Sequence, residues 1–129
     1  MNILAFAFVF CLQLYLTFDY FWKSCINPPY ILYFVHQAFD VFLFWAPVFL
    51  VTKLEHALHF WVALGVGIHW FTYGNKCIAT VEMNKQCAYE EHRWLHSLKN
   101  MFGLREYSEN FHFIWIGLLM VYDLYVLSI

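Results

Sequence analysis

Histidine is the residue type most able to do chemistry in this chain. Five of the seven His, namely His36, His56, His59, His69 and His112, interrupt runs that are otherwise apolar. Neutral imidazole is the commonest metal ligand, and a b-type haem needs two His facing each other from different helices. Laid antiparallel, the runs bring His36, His69 and His112 to one end of the molecule. His69 with His36 or His112 would supply the pair, which makes haem b or a metal ion the cofactor of a redox reading. His56 and His59 lie at the opposite end on a single run that no other His faces, so a second haem has no ligand pair. The competing reading keeps the imidazoles for internal pairing. Asp19, Asp40 and Asp123 stand in the same apolar runs, Asp40 one helical turn after His36, and Glu55, His56, His59 and Asp123 gather near one end. An ionisable group at mid-bilayer costs ~2.5 to 3.5 kcal/mol on insertion scales. Asp19, His36, Asp40, His56, His59 and Asp123 are therefore expected to find polar partners inside.

A second constellation lies in a polar segment. His92 and His96 share one helical face, Glu90 and Glu91 precede them, and Cys77 and Cys87 lie upstream. His-x-x-x-His resembles one element of the membrane di-iron hydroxylases and desaturases and is also half of a zinc site, so His92, His96, Cys77 and Cys87 form a candidate metal set. The further His-rich boxes of the hydroxylases are absent, and the nine residues between the cysteines exceed the usual zinc-knuckle spacing. A solvated helix face carrying two His is the simpler reading. Cys25, Cys77 and Cys87 would allow a disulfide in an oxidising compartment, whereas free thiols suit a reducing one. Serine gives no lead: there is no Gly-x-Ser-x-Gly elbow, and Ser24, Ser97, Ser108 and Ser128 lack a triad context. Phosphate-cradling Gly-rich loops are absent as well, and no motif names a reaction.

The elements that must hold these residues are written in the hydropathy. Of 129 residues, 63% are hydrophobic, 23% aromatic and only 12% charged, against ~25% charged in soluble domains. Lipid is the solvent that suits such a chain, and Tyr and Trp favour its boundary with water. Four apolar runs, 3–22, 31–51, 54–73 and 111–129, each approach the ~20 residues that span a bilayer. The fold class that follows is an all-α membrane protein, one bundle of four transmembrane helices. Pro28-Pro29 marks a tight turn between the first two helices, and Pro47 predicts a kink late in the second. Ala63, Gly65 and Gly67 predict close helix packing on the third, and Gly74 a left-handed cap at its end. The polar segment 74–110 holds five of the seven Lys and Arg residues. Within it Glu91, Trp94, Leu95, Leu98, Met101 and Phe102 recur at three- and four-residue intervals, the pattern of an interfacial amphipathic helix between helices three and four.

Four spans place both termini on one side with Lys53, and the 74–110 segment on the other with the remaining basic residues. The positive-inside rule makes the latter side cytoplasmic or its equivalent. The start of the chain reads as a retained membrane helix, since no Lys or Arg precedes the apolar run and no small-x-small cleavage site follows. A net charge of -2 with scattered basic residues excludes a phosphate-tracking surface, so nucleic acid is not a partner. No feature selects a soluble substrate. Short helices without internal symmetry or a filter-like loop argue against a channel or transporter.

His59, followed by Cys77-Ile78-Ala79-Thr80 and Glu82, with Tyr107 and His112 beyond, resembles a family of small four-helix membrane proteins of unknown function that carry a Cys-Pro-Leu-Thr motif after a membrane His. Ile78 and Ala79 stand where the motif has Pro and Leu, and the acid comes one residue early. The resemblance implies a four-helix membrane fold and no activity. Helices aromatic on all faces and short turns point to a non-catalytic structural or accessory subunit, partnered by other membrane subunits and lipid, in a respiratory complex or the membrane layer of a virion. A bias toward Phe, Tyr, Ile and Asn suits an AT-rich genome, hence an organellar inner membrane or a viral membrane. The alternative is a membrane redox protein using His36, His69 and His112.

Overall fold

The computed structural model describes residues 1–24, 29–74, 77–87 and 111–129, and those residues are all-helical, with no strand. Six helices follow in order: α1 (Ile3–Ser24), α2 (Tyr30–Phe44), α3 (Ala46–Phe49), α4 (Lys53–Thr72), α5 (Ile78–Cys87) and α6 (Phe111–Ser128). Side chains cap two of the starts. Asn2 Oδ1 accepts the Ala5 amide at the head of α1. Thr52 and Glu55 form a reciprocal capping box at the head of α4, and Glu55 also accepts the Val51 amide and pairs with the Met1 ammonium. The Asn2 amide donates to the Phe49 carbonyl at 2.7 Å. The start of α1, the end of α3 and the first turn of α4 are thereby tied together. Gly74 has φ 68 and follows the last turn of α4, as its expected capping role requires.

The most extensive helix contact is between α4 and α6; α1 packs on α2 and α3, and α2 touches α4, α5 and α6. Two apolar clusters hold the bundle. Leu43, Phe44, Ala63, Trp70 and Ile116 fill the space among α2, α4 and α6, while Val9, Val41, Ala46, Phe49 and Leu50 join α1 to α2 and α3. Aromatic edges fit these clusters closely, as where Phe6 meets Phe49 edge-on at 5.1 Å.

Two expectations need correction. The run 31–51 is not one kinked helix: α2 ends at Phe44, Trp45 leaves helical geometry, and a single turn of helix follows with Pro47 in its first positions. Proline has no N–H to donate four residues back and its ring crowds that carbonyl, so the chain breaks before it. Gly65 and Gly67 do not mark a close backbone approach, since a Cβ at either position would meet nothing within 4 Å; it is Ala63 that is fully buried. The first part of the polar segment forms α5, which lies on α2 and buries Met83. Of the four expected spans, one helix among the described residues, α6, is long and apolar enough to cross a membrane; the apolar stretches Ile3–Leu16 and Tyr30–Phe44 are shorter. Helix α4 is diluted by Lys53, Glu55 and three His.

Candidate functional site

The bundle carries its polar groups inside. On α4, His56 and His59 are one turn apart and face α6, where Asp123 meets both. Asp123 Oδ1 lies 2.7 Å from His56 Nδ1, and Oδ2 lies 2.5 Å from His59 Nδ1. His59 Nε2 is 3.0 Å from the Leu43 carbonyl on α2. All three side chains are almost completely removed from solvent. The carbonyl can only accept, so His59 Nε2 carries a proton. Its Nδ1 faces a carboxylate oxygen, which requires a second proton between them, on either atom. His56 Nδ1 supplies the third. Three hydrogen bonds thus hold three protons, and the group of Asp123, His56 and His59 is neutral overall when His56 Nε2 carries none. A neutral, fully hydrogen-bonded group is what a water-poor interior tolerates. Glu55, at the same end of the bundle as expected, pairs with the Met1 ammonium at the helix start.

The acceptor for His59 exists because of the break in α2. In an unbroken helix the amide of residue 47 would bond the Leu43 carbonyl and that of residue 48 the Phe44 carbonyl. Pro47 has no amide hydrogen, and the Val48 amide turns to Trp45 instead. The two released carbonyls are taken from other helices: Leu43 by His59, and Phe44 by the Trp115 indole N–H at 3.0 Å. A smaller pair joins α1 to α2, where buried Gln13 Nε2 donates to Gln37 Oε1 at 2.6 Å.

A cavity of about 450 Å³ lies between α2, α4 and the start of α5. Its walls are mostly apolar, with Leu32, Val35, Phe39, Trp61 and Val66 prominent, and Gly65 leaves one side open. Polar atoms enter it at one place. His36 Nδ1 is 3.3 Å from Asp40 Oδ2, close enough for electrostatic attraction though outside good hydrogen-bond geometry. The other ring nitrogen, Nε2, is 3.5 Å from Cys77 Sγ. Cys77 caps α5: its carbonyl accepts the Val81 amide, and the Ile78 amide donates to His69 Nε2 at 3.3 Å. Cysteine, imidazole and carboxylate therefore stand in the order nucleophile, base and orienting acid.

The three His of the redox reading do not converge. His36 and His69 line the same cavity, but their Nε2 atoms face the Cys77 thiol and the Ile78 amide, respectively. His112 is buried elsewhere, its ring 4.9 Å from that of Trp70 and 4.5 Å from that of Phe113. Among the described residues no group of three His, Cys, Asp or Glu is arranged to hold a metal ion. His92, His96 and the expected amphipathic helix lie outside the described residues, as do Cys25 and the side chains of Asp19 and Cys87. Sequence reasoning did not link Cys77 to His36, which is 41 positions away, nor Gln13 to Gln37. The available signal was modest: a thiol just before a helix, and a buried amide in each of two neighbouring helices. No protein-family model, no characterised protein and no solved structure matches the chain.

Proposed function

We propose that this chain is a structural component of a larger membrane assembly, spanning the bilayer four times through α1, the α2–α3 pair, α4 and α6. The observation that carries this is an inverted distribution of polarity. Leu4, Tyr15, Ile31 and Leu54 are at least 80% exposed, whereas Gln13, Gln37, His56, His59 and Asp123 are buried. Water would reverse that order, while lipid or apolar partner helices favour it. At 1.5 Å per residue, α1, α4 and α6 measure about 33, 30 and 27 Å, against a hydrocarbon core of about 30 Å. The buried polar groups around Asp123 satisfy one another, as a scaffold requires. Four passes put both termini on one side and residues 74–110 on the cytoplasmic-equivalent side, in an organellar inner membrane or a viral membrane.

The test has two parts. Reporters at the N- and C-termini should mark one side of the membrane and a reporter at Lys85 the other. Crosslinking in the native membrane should capture other membrane subunits in fixed ratio. Termini on opposite sides would remove the four-pass arrangement, and a homogeneous monomer without partners would remove the assembly role.

A further inference from the structure

We propose that Cys77 is an acyl-accepting thiol, and that the cavity between α2, α4 and α5 holds the fatty chain it receives. The inference goes beyond the structural role and does not depend on the number of spans. A cavity with apolar walls and one polar corner suits a ligand that is hydrocarbon along its length and reactive at one end. At about 30 Å³ per heavy atom, the size of a water molecule, the space takes roughly fifteen heavy atoms. That is the scale of a long acyl chain. The polar corner holds the parts that transfer such a chain to sulfur. His36 Nε2 faces Cys77 Sγ at 3.5 Å, with Asp40 behind the ring at 3.3 Å. Reactive distances of this kind commonly tighten when substrate enters. The sulfur stands at the N-terminus of a ten-residue helix, whose dipole favours a thiolate.

The donor is an acyl thioester. Transfer from thioester to thiol exchanges like for like, whereas transfer from a lipid oxygen ester would run uphill. The Cys77 proton passes to His36 Nε2 as the sulfur attacks the acyl carbonyl. The bond from that carbonyl to the donor sulfur then breaks, and the donor leaves as a thiol with the proton from His36. Asp40 is a positioning residue: its carboxylate, 3.3 Å from His36 Nδ1, attracts the proton to that nitrogen so that Nε2 is left to accept. Water-borne donor reaches the site from the α5 side, where Ile78, Glu82 and Lys85 are exposed.

The experiment uses the full chain in neutral detergent with an alkyne-tagged long-chain acyl-coenzyme A, and in parallel with phospholipid bearing the same tagged chain. The expected result is a hydroxylamine-labile label mapped to Cys77, formed from the thioester and not from the phospholipid. It should vanish in Cys77→Ser and fall at least tenfold in His36→Gln. In Asp40→Asn, both acylation and iodoacetamide alkylation of Cys77 should slow, while the helical circular-dichroism signal stays unchanged as the control for a folded chain. Gly65→Phe, placed on the cavity wall where a Cβ meets nothing within 4 Å, should fill the space and lower labelling by the long-chain donor. A folded wild type that takes no label, a label spread equally over Cys11, or a Cys77 label indifferent to His36→Gln would overturn the proposal.

Discussion

His59 donates to the carbonyl of Leu43, one of the two backbone acceptors that the break at Pro47 leaves without a helical donor. A break in one helix is thus turned into a cross-helix bond. Replacing Pro47 by Ala would allow the amide of residue 47 to reclaim Leu43 and compete with His59. We predict that Pro47→Ala and His59→Phe are non-additive, with a coupling of about 1 kcal/mol, measured as a double-mutant cycle by denaturant titration in mixed micelles. Strict additivity would mean that the His59 bond does not depend on the break.

Asp123 serves two imidazoles at once, so its removal should exceed the cost of one lost bond. Asp123→Ala is expected to destabilise the bundle by about 3 to 5 kcal/mol, the range for breaking a buried polar pair by removing one partner. Asp123→Asn, which keeps the shape and part of the hydrogen bonding, should cost less. The same unfolding titration ranks them, and equal stability for wild type and Asp123→Ala would contradict the buried arrangement.

The Gln13–Gln37 pair offers a cleaner test of satisfied burial. Gln13→Leu alone strands the Gln37 amide and should cost about 1 to 3 kcal/mol. Changing both to Leu removes the unsatisfied group and should recover most of that loss. A double variant as unstable as the single one would show that the pair contributes packing rather than hydrogen bonding.

At the head of α4, Thr52→Ala should cost about 1 kcal/mol through the lost cap, while Glu55→Gln keeps a capping-box partner and should cost less. Fraying of the first turn, seen as faster amide exchange at Glu55 and His56, checks the local effect.

Much of this organisation was legible in the residues. Apolar runs located α1, α2, α4 and α6, Gly74 announced the end of α4, and the four-residue spacing of His36 and Asp40 placed them on one face. Asp123, His56 and His59 were assigned to one layer by counting from helix ends. Their pairing was not legible, because it depends on how α4 and α6 are rotated about their axes, and hydropathy fixes rotation poorly when apolar residues surround a helix. The approach of Cys77 to His36 was hidden for a related reason: it requires the chain after α4 to fold back onto α2. Helix α5 has almost no apolar periodicity to reveal that return. Pro47 signalled a bend, but whether a bend becomes a break depends on which donors reach the released carbonyls, and those partners come from elsewhere in the chain.

The separation between Asp123 and its two partners also sets an order of events during synthesis. His59 is made 64 residues before Asp123, and His56 is made 67 residues before it. While α4 is complete and α6 is not, both imidazoles lack the carboxylate they will bind, and the helix that carries them also holds Lys53, Glu55 and His69. Until α6 arrives, the face of α4 that carries them has no carboxylate of α6 to close against. The arrival of one late carboxylate is what closes it.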